Sequence, residues 1–555
     1  MLHRPLAAKD WYSAGNPWIW LTGGAVAVSL IMVFGLLLLI TVKGMGYFWQ
    51  KEVVSVVVND PEFSAQKIMG EIYDREFYSQ EMLSQRGLNI NVQGSGAERV
   101  LFKLGNKELH DADFKWVWSH YLSGAEKKPE TLVVERLEWG NFYGFFYQMK
   151  KKNQVALEVL DWEILQKELK AAAQISESIK DIEKDEIGSV GYRVEKLRLK
   201  ERSLELKQQL TSQAKTEIEK ERAKLQNEYD LLKKKLEDLS ISQAENVLVL
   251  KTADDKIVEV PFSNIVTLYR PNTLSAFDKV LFFFGKIGRF LIDDPREANT
   301  EGGVFPAIFG TVLMVIVMSI IVTPLGVIAA VYLKEYARQG WIVRFVRVAV
   351  NNLAGVPSVV YGVFGLGFFV YTVGGQIDQL FYAESLPAPV FGTPGLLWAS
   401  ITLALLTVPV VIVSTEEGLS RIPKFIREGS LALGATKIET LWRVVLPMVV
   451  PSMLTGLILA IARAAGEVAP LMLVGVVKLA PSLAVDFNAP FFHLDRKFMH
   501  LGFHIYDVGF QSPNVEAARH LVYATAFFLV LVIVLLNVAA VSLRNKLREK
   551  YRSLE

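Results

Sequence analysis

The chain has 555 residues, 51% of them hydrophobic, and 60 basic against 58 acidic side chains give a formal net charge of +2. That balance gives no general pull toward nucleic acid. The absence of cysteine excludes disulfides, thiol catalysis and cysteine metal sites, and the seven histidines form no HxxH or HExxH cluster, so neither metal nor cofactor is expected.

Six stretches are apolar over the roughly 20 residues that a membrane helix needs, at about 17–42, 304–333, 346–374, 394–414, 448–477 and 521–542. The first runs apolar from Trp18 to Val42, longer than the ~7–15 residues of a signal-peptide core, and Lys43-Gly44-Met45-Gly46 is a poor cleavage site. It reads as an uncleaved anchor. Basic residues follow the second stretch (Lys334, Arg338, Arg344, Arg347), the fourth (Arg421, Lys424, Arg427, Lys437, Arg443) and the sixth (Arg544, Lys546, Arg548, Lys550, Arg552), while "GQIDQLFYAESLPAPVF" at 375–391 has none. This asymmetry fits six spans with both ends in the cytoplasm and residues 43–303 on the other side.

Within 43–303, "VVSVVV" (53–58), "RVLFKLG" (99–105), "TLVVERLEW" (131–139) and "QVALEVL" (154–160) read as strands, and 245–262 reads as a hairpin around Ala253-Asp254-Asp255-Lys256. A charged helical stretch covers about 161–240. Val190, Leu197, Leu204, Thr211, Ile218, Leu225, Leu232 and Leu239 recur every seven positions, the stripe of a coiled coil. An earlier helix, about 161–187, carries its own stripe at Leu165, Leu169, Ala172, Ile175, Ile179 and Ile182, and Gly188-Ser189 is the expected break. An intramolecular antiparallel hairpin is the first reading, self-association the second, and a solvated spacer without chemistry stands beside both. Residues 275–293, "SAFDKVLFFFGKIGRFLID", fit a helix lying on the membrane surface or a buried helix of the insert.

On the cytoplasmic side, 428–447 reads "EGSLALGATKIETLWRVVLP": two short amphipathic helices joined at Gly434, with Pro447 opening the next span. The spacing Glu428-Gly429-Ser430-x3-Gly434-x9-Val444-x-Leu446-Pro447 resembles the EAA loop of ABC importer permeases, E-A-A-x3-G-x9-I-x-L-P, departing at Gly429, Ser430 and Val444. The resemblance implies a coupling helix that docks on an ATPase, with Glu428, Gly434, Leu446 and Pro447 carrying the motif. No GxxxxGK[ST] phosphate loop is present, so the motor would be a separate protein.

"GGVFPAIFGTV" (302–312), "LAGVPSVVYGVFGLG" (353–367) and "RAAGEVAPLM" (463–472) resemble the permease subunits of phosphate ABC importers, and Gly-Glu-x-Ala-Pro-Leu is similar to the PstA type. The resemblance covers about 295–545. With the apolar, charge and heptad patterns above, the expectation is a mainly α membrane protein of six transmembrane helices: an anchor (1–42), a mixed α/β periplasmic insert with a coiled-coil hairpin (43–303), a permease core (304–545, coupling loop 414–447) and a tail (546–555), of which the resemblance implies the core alone. The resemblance further implies a bacterial inner-membrane location, inorganic phosphate as cargo, and three partners: a PstC-type second permease, a PstB-type ATPase dimer and a PstS-type binding protein.

Arg463 and Glu467 stand in the otherwise apolar run 448–477, Arg463 next to its midpoint. A charge at a helix centre costs about 2.5–3.5 kcal/mol and usually faces a pathway. A guanidinium matches phosphate oxygens two at a time, whereas mutual neutralisation of the pair is the plainer alternative. Glu467 either holds Arg463 or weakens phosphate binding enough for release. Pro470 deletes the hydrogen bond to the Gly466 carbonyl and is expected to kink the helix, a hinge at Gly466 and Pro470. Two other readings stay open: an envelope scaffold or sensor working through its coiled coil, and a permease for another oxyanion such as sulfate.

Overall fold

A computed structural model of the chain describes residues 15–59, 66–85, 96–110, 113–152, 154–512 and 515–552. Among these, six helices are long and apolar enough to cross a membrane: Trp18–Gly46, Phe305–Tyr336, Ser358–Phe381, Leu396–Arg421, Lys437–Gly466 and Ala518–Glu549. The first is the greater part of α1 (Asn16–Gly46). The insert follows it as two antiparallel sheets. One has the order β4-β3-β2-β1-β5, from β1 (Val53–Val58), β2 (Gln66–Ser79), β3 (Gly96–Lys103), β4 (Phe114–Trp118) and β5 (Leu122–Glu126). The other has the order β10-β9-β7-β6-β11, with β8 against β7, from β6 (Leu132–Arg136), β7 (Asn141–Lys151), β8 (Gln154–Leu157), β9 (Asn246–Lys251), β10 (Ile257–Pro261) and β11 (Ile265–Tyr269). Leu132, Phe142, Leu248 and Leu250 of the second sheet bury against Leu165 and Leu169 of α2 (Trp162–Asp181).

The expected break at Gly188-Ser189 is absent. A π-helical turn, Ile182–Ile187, carries α2 straight into α3 (Gly188–Leu206). The chain reverses at 207–211 instead, where Thr211 caps α4 (Ser212–Ala244) by accepting a hydrogen bond from the Ala214 N–H. The polar member of the seven-residue stripe is thus a helix start. Val190 and Leu197 face Leu225 and Leu232 across an antiparallel pair, whose register shows in Arg193–Glu228 (2.5 Å) and Arg222–Glu201 (2.7 Å).

α5 (Ala276–Ile292) joins the insert to α6 (Phe305–Val331). Its Lys286 and Arg289 reach Glu135 of β6, at 3.2 and 3.4 Å, while Phe277, Leu281, Phe284 and Ile292 stay exposed. One face of the helix thus packs on the insert, and the other presents apolar side chains outward.

The apolar run 346–374 is not one helix. α7 (Trp341–Leu353) ends before Pro357, which disfavours helix in the residue before it, and α8 (Ser358–Phe364) starts afresh. The Tyr361 hydroxyl bridges the gap to the Leu353 carbonyl at 2.6 Å. α9 (Leu396–Arg421) runs seven residues beyond the expected end at 414. α10 (Lys424–Ala432) and α11 (Lys437–Thr440) follow, then α12 (Leu446–Gly466), α13 (Leu471–Val474), α14 (Leu501–Tyr506) and α15 (Val515–Arg552). Met314, Met318, Leu403, Leu406, Ala460 and Ala464 fill the centre of the membrane half.

Candidate functional site

Two places gather the residues singled out by sequence. The first is the end of α12. Gly418 of α9 lies against Ser452, and Gly456 lies against Ser414. Arg463 stands in the last turn of the fifth apolar helix, Lys437–Gly466, and not at its middle as the midpoint of 448–477 suggests. The helix does not kink there, as the spacing of Gly466 and Pro470 led one to expect; it ends. Gly466 is its last residue, Glu467 is extended (φ −80°, ψ 132°), and Pro470 begins α13. The polypeptide thus leaves helical geometry between α12 and α13, and such a break at membrane depth is tolerated only where it is buried in protein or lines a cavity. Gly362 permits the close approach of α8: a Cβ on it would stand 2.7 Å from the Pro470 Cα.

Arg463 and Glu467 do meet, through Nε and Oε1 at 3.7 Å, with side chains 33% and 22% exposed. The contact is long and single. The other guanidinium nitrogens have no partner among the described residues, so the donor fork is left for something else.

Past the break, residues 475–500 fold over the start of α9. The carbonyls of Val474, Arg496 and Leu494 accept from the N–H groups of Gly395, Leu396 and Leu397, each at 2.9 Å. Asp486 pins this segment, bonding Arg496 at 2.6 Å and His493 at 3.0 Å. Burial pushes its carboxyl up, but the Arg496 guanidinium, the Asn488 N–H and His493 outweigh that and hold it at about 2. The insert touches the same segment, since the Tyr192 hydroxyl of α3 donates to the Ala489 carbonyl. None of these residues carried a sequence signal, because their roles depend on pairings across distant segments.

The second place is the turn between α10 and α11. Gly434 takes φ +88°, the left-handed region that glycine enters without strain. The Ser430 and Thr440 hydroxyls bond across the turn at 2.9 Å, and Thr436 and Glu439 form a capping box. Arg427 of α10 binds Glu335, at the inner end of the second span, at 2.9 Å. Glu428 is exposed, as are Phe425, Leu433, Ile438 and Trp442, so an apolar surface faces outward from the loop. Leu446 and Pro447 are half-buried where α12 begins.

Residues 322–553 match the family described as "Binding-protein-dependent transport system inner membrane component". The chain is 35% identical over 245 residues to "Phosphate transport system permease protein PstA 1" of Mycobacterium tuberculosis, covering 44% of this chain and 71% of that protein. It is 35% identical over 247 residues to "Phosphate transport system permease protein PstA" of Yersinia pestis, covering 44% and 74%. It is 29% identical over 266 residues to "Probable ABC transporter permease protein YqgH" of Bacillus subtilis, covering 45% and 81%. With its six apolar helices and these matches, the chain belongs to the PstA-type permeases of the binding-protein-dependent transport family: a multi-pass inner-membrane transport component and not an enzyme.

Proposed function

We propose that the chain forms half of a heterodimeric pore for inward movement of inorganic phosphate, driven by a separate ATPase dimer of the PstB type. The observation that carries the reading is Arg463: a guanidinium in the last turn of an apolar membrane helix, beside a non-helical break, with one long contact to Glu467. In this reading Arg463 receives phosphate in transit. Glu467 competes for the guanidinium and keeps binding weak enough for release. Gly466 and Pro470 frame the segment that moves between inward- and outward-open forms. The exposed loop around Gly434 is the ATPase contact, with Glu428 on its surface and Leu446-Pro447 anchoring it to α12. The second permease is of the PstC type and the phosphate-binding protein of the PstS type. The insert lies on the periplasmic side, and its contact with the outer loops at Ala489 supports a role in modulating docking of the binding protein.

The test is radiolabelled phosphate uptake in cells carrying Arg463→Lys or Arg463→Ala at normal membrane abundance. Loss of a charge-assisted hydrogen bond, about 1.5–3 kcal/mol, lowers uptake roughly 10- to 150-fold in the alanine variant. The lysine variant is also impaired because it lacks the two-pronged geometry. Normal uptake by Arg463→Ala removes the residue from the mechanism.

A further inference from the structure

A cavity of about 130 Å³ lies at the seam between the insert and the membrane half. One wall is the chain leaving α1, from Gly46 to Lys51; others come from β2, β3, β6, α5 and the linker to α6, and His520 near the start of α15 closes it. Its charged lining divides into two groups. Lys286 and Arg289 share Glu135, and Glu71 accepts from the Tyr143 hydroxyl at 3.0 Å. The rest are poorly matched. Lys103 reaches Glu301 only at 3.8 Å. Lys51 and Arg296 donate to the carbonyls of Tyr73 and Arg136, at 3.0 and 3.1 Å, and neither has a carboxylate within 4.0 Å among the described residues; nor has Asp293 a cation within that distance. Half-buried charges without a close partner of opposite sign are costly, and the cavity offers them of both signs, although Lys51 also lies 4.1 Å over the Tyr73 ring.

We propose that this cavity binds the headgroup of a zwitterionic, primary-amine phospholipid from the leaflet on the insert's side, its phosphate held by Lys51 and Arg296 and its ammonium by Asp293 and Glu301. Position argues for a lipid. The cavity begins where α1 leaves its apolar stretch and where the sixth apolar helix starts, the level at which headgroups lie. An apolar track starts at its rim. Trp49 lines the cavity, is half exposed, and rests 5.9 Å from the Phe283 ring of α5. Beyond it α5 exposes Phe277, Leu281 and Phe284 at helical spacing, a surface suited to acyl chains. Charge argues for a zwitterion, since a simple anion would sit among four carboxylates and a simple cation among five basic groups. Burial pushes the Asp293 and Glu301 carboxyls up, against the pull of nearby basic groups; an ammonium partner restores their charged forms.

The experiment purifies the full chain with its transport partners in mild detergent and reads bound lipid by native mass spectrometry. One primary-amine phospholipid is retained by the unaltered protein, and the Lys51→Gln/Arg296→Gln double variant retains it at least roughly tenfold less. Arg296→Lys keeps it, which separates loss of charge from loss of fold, as does an unchanged thermal midpoint of the double variant in lipid-free detergent. In a second arm, thermal midpoints are compared after adding phosphatidylethanolamine, phosphatidylcholine or inorganic phosphate; only the first, with N–H donors on its amine, gives a shift that the double variant loses. Equal retention by the double variant overturns the proposal. So does equal protection by the choline lipid, which has no N–H to offer the carboxylates. Protection by inorganic phosphate alone overturns it in favour of a free-anion site.

Discussion

Replacing Gly434 isolates a backbone effect. No atom lies within 4 Å of the place where a Cβ would stand, so a new side chain meets no neighbour. The cost comes from φ +88° alone. A β-branched residue held there carries about 1–3 kcal/mol of strain, while asparagine enters the left-handed region more readily. The Ser430–Thr440 bond and the Thr436 capping box supply independent ties across the turn. The loop of a Gly434→Val protein therefore stays attached but spends most of its time out of the docking geometry. A 1–3 kcal/mol penalty corresponds to about a 5- to 150-fold fall in the competent population. The assay is ATP hydrolysis by the assembled complex, with and without loaded binding protein, for the asparagine, alanine and valine variants. Stimulation falls in that order, with asparagine nearest the unaltered protein. Full stimulation by Gly434→Val, or asparagine as damaging as valine, refutes the reasoning.

Removing residues 187–234 from the helical pair and joining the ends with a short Gly/Ser linker leaves Leu165 and Leu169 on the sheet; phosphate uptake at saturating concentration is retained, and uptake at limiting phosphate reports any effect on the binding protein. Leu165→Ala empties a fully buried position under the six-stranded sheet, costs about 2–5 kcal/mol, and increases proteolysis of the insert at elevated temperature. Asp486, held at about 2 against an ordinary 3.8, contributes stability that is fully present above about pH 4 and is lost as pH falls toward 2. Asp486→Asn therefore loosens residues 475–500 at neutral pH and removes the acid step, measured by limited proteolysis across pH.

Apolar length found all six membrane helices, because twenty apolar residues have few alternatives. Their ends were less legible. Nothing local in "RVAVNNLAGVPSVVYG" separates a helix, a turn and a second helix except Pro357, and the break after Gly466 needs α8 to press on Pro470. In the insert, the apolar run of β1 and the hairpin β9–β10 were readable. β2, "QKIMGEIYDREFYS", was not, since its charged residues hide the alternation, and β7, "NFYGFFYQMKK", lacks a polar face. Of the seven-residue stripe, Val190 and Leu197 meet Leu225 and Leu232, and only the cap at Thr211 shows where the chain turns back. Arg463 stood out because a charge in an apolar run is conspicuous. The Asp486 cluster depends on a loop whose course no periodicity describes.

The start of α9 receives its three carbonyl partners from Val474, Leu494 and Arg496, residues made some 80 to 100 positions later. At about 5–20 residues per second, those amide groups wait on the order of 5–20 s after they emerge. They are the first donors of a helix, which have no partner within it, so until then water or headgroups at the end of the fourth span must meet them. The cover over this helix end is therefore completed late, and a chain stalled before Leu494 leaves the start of α9 without its lid, open to quality-control proteolysis.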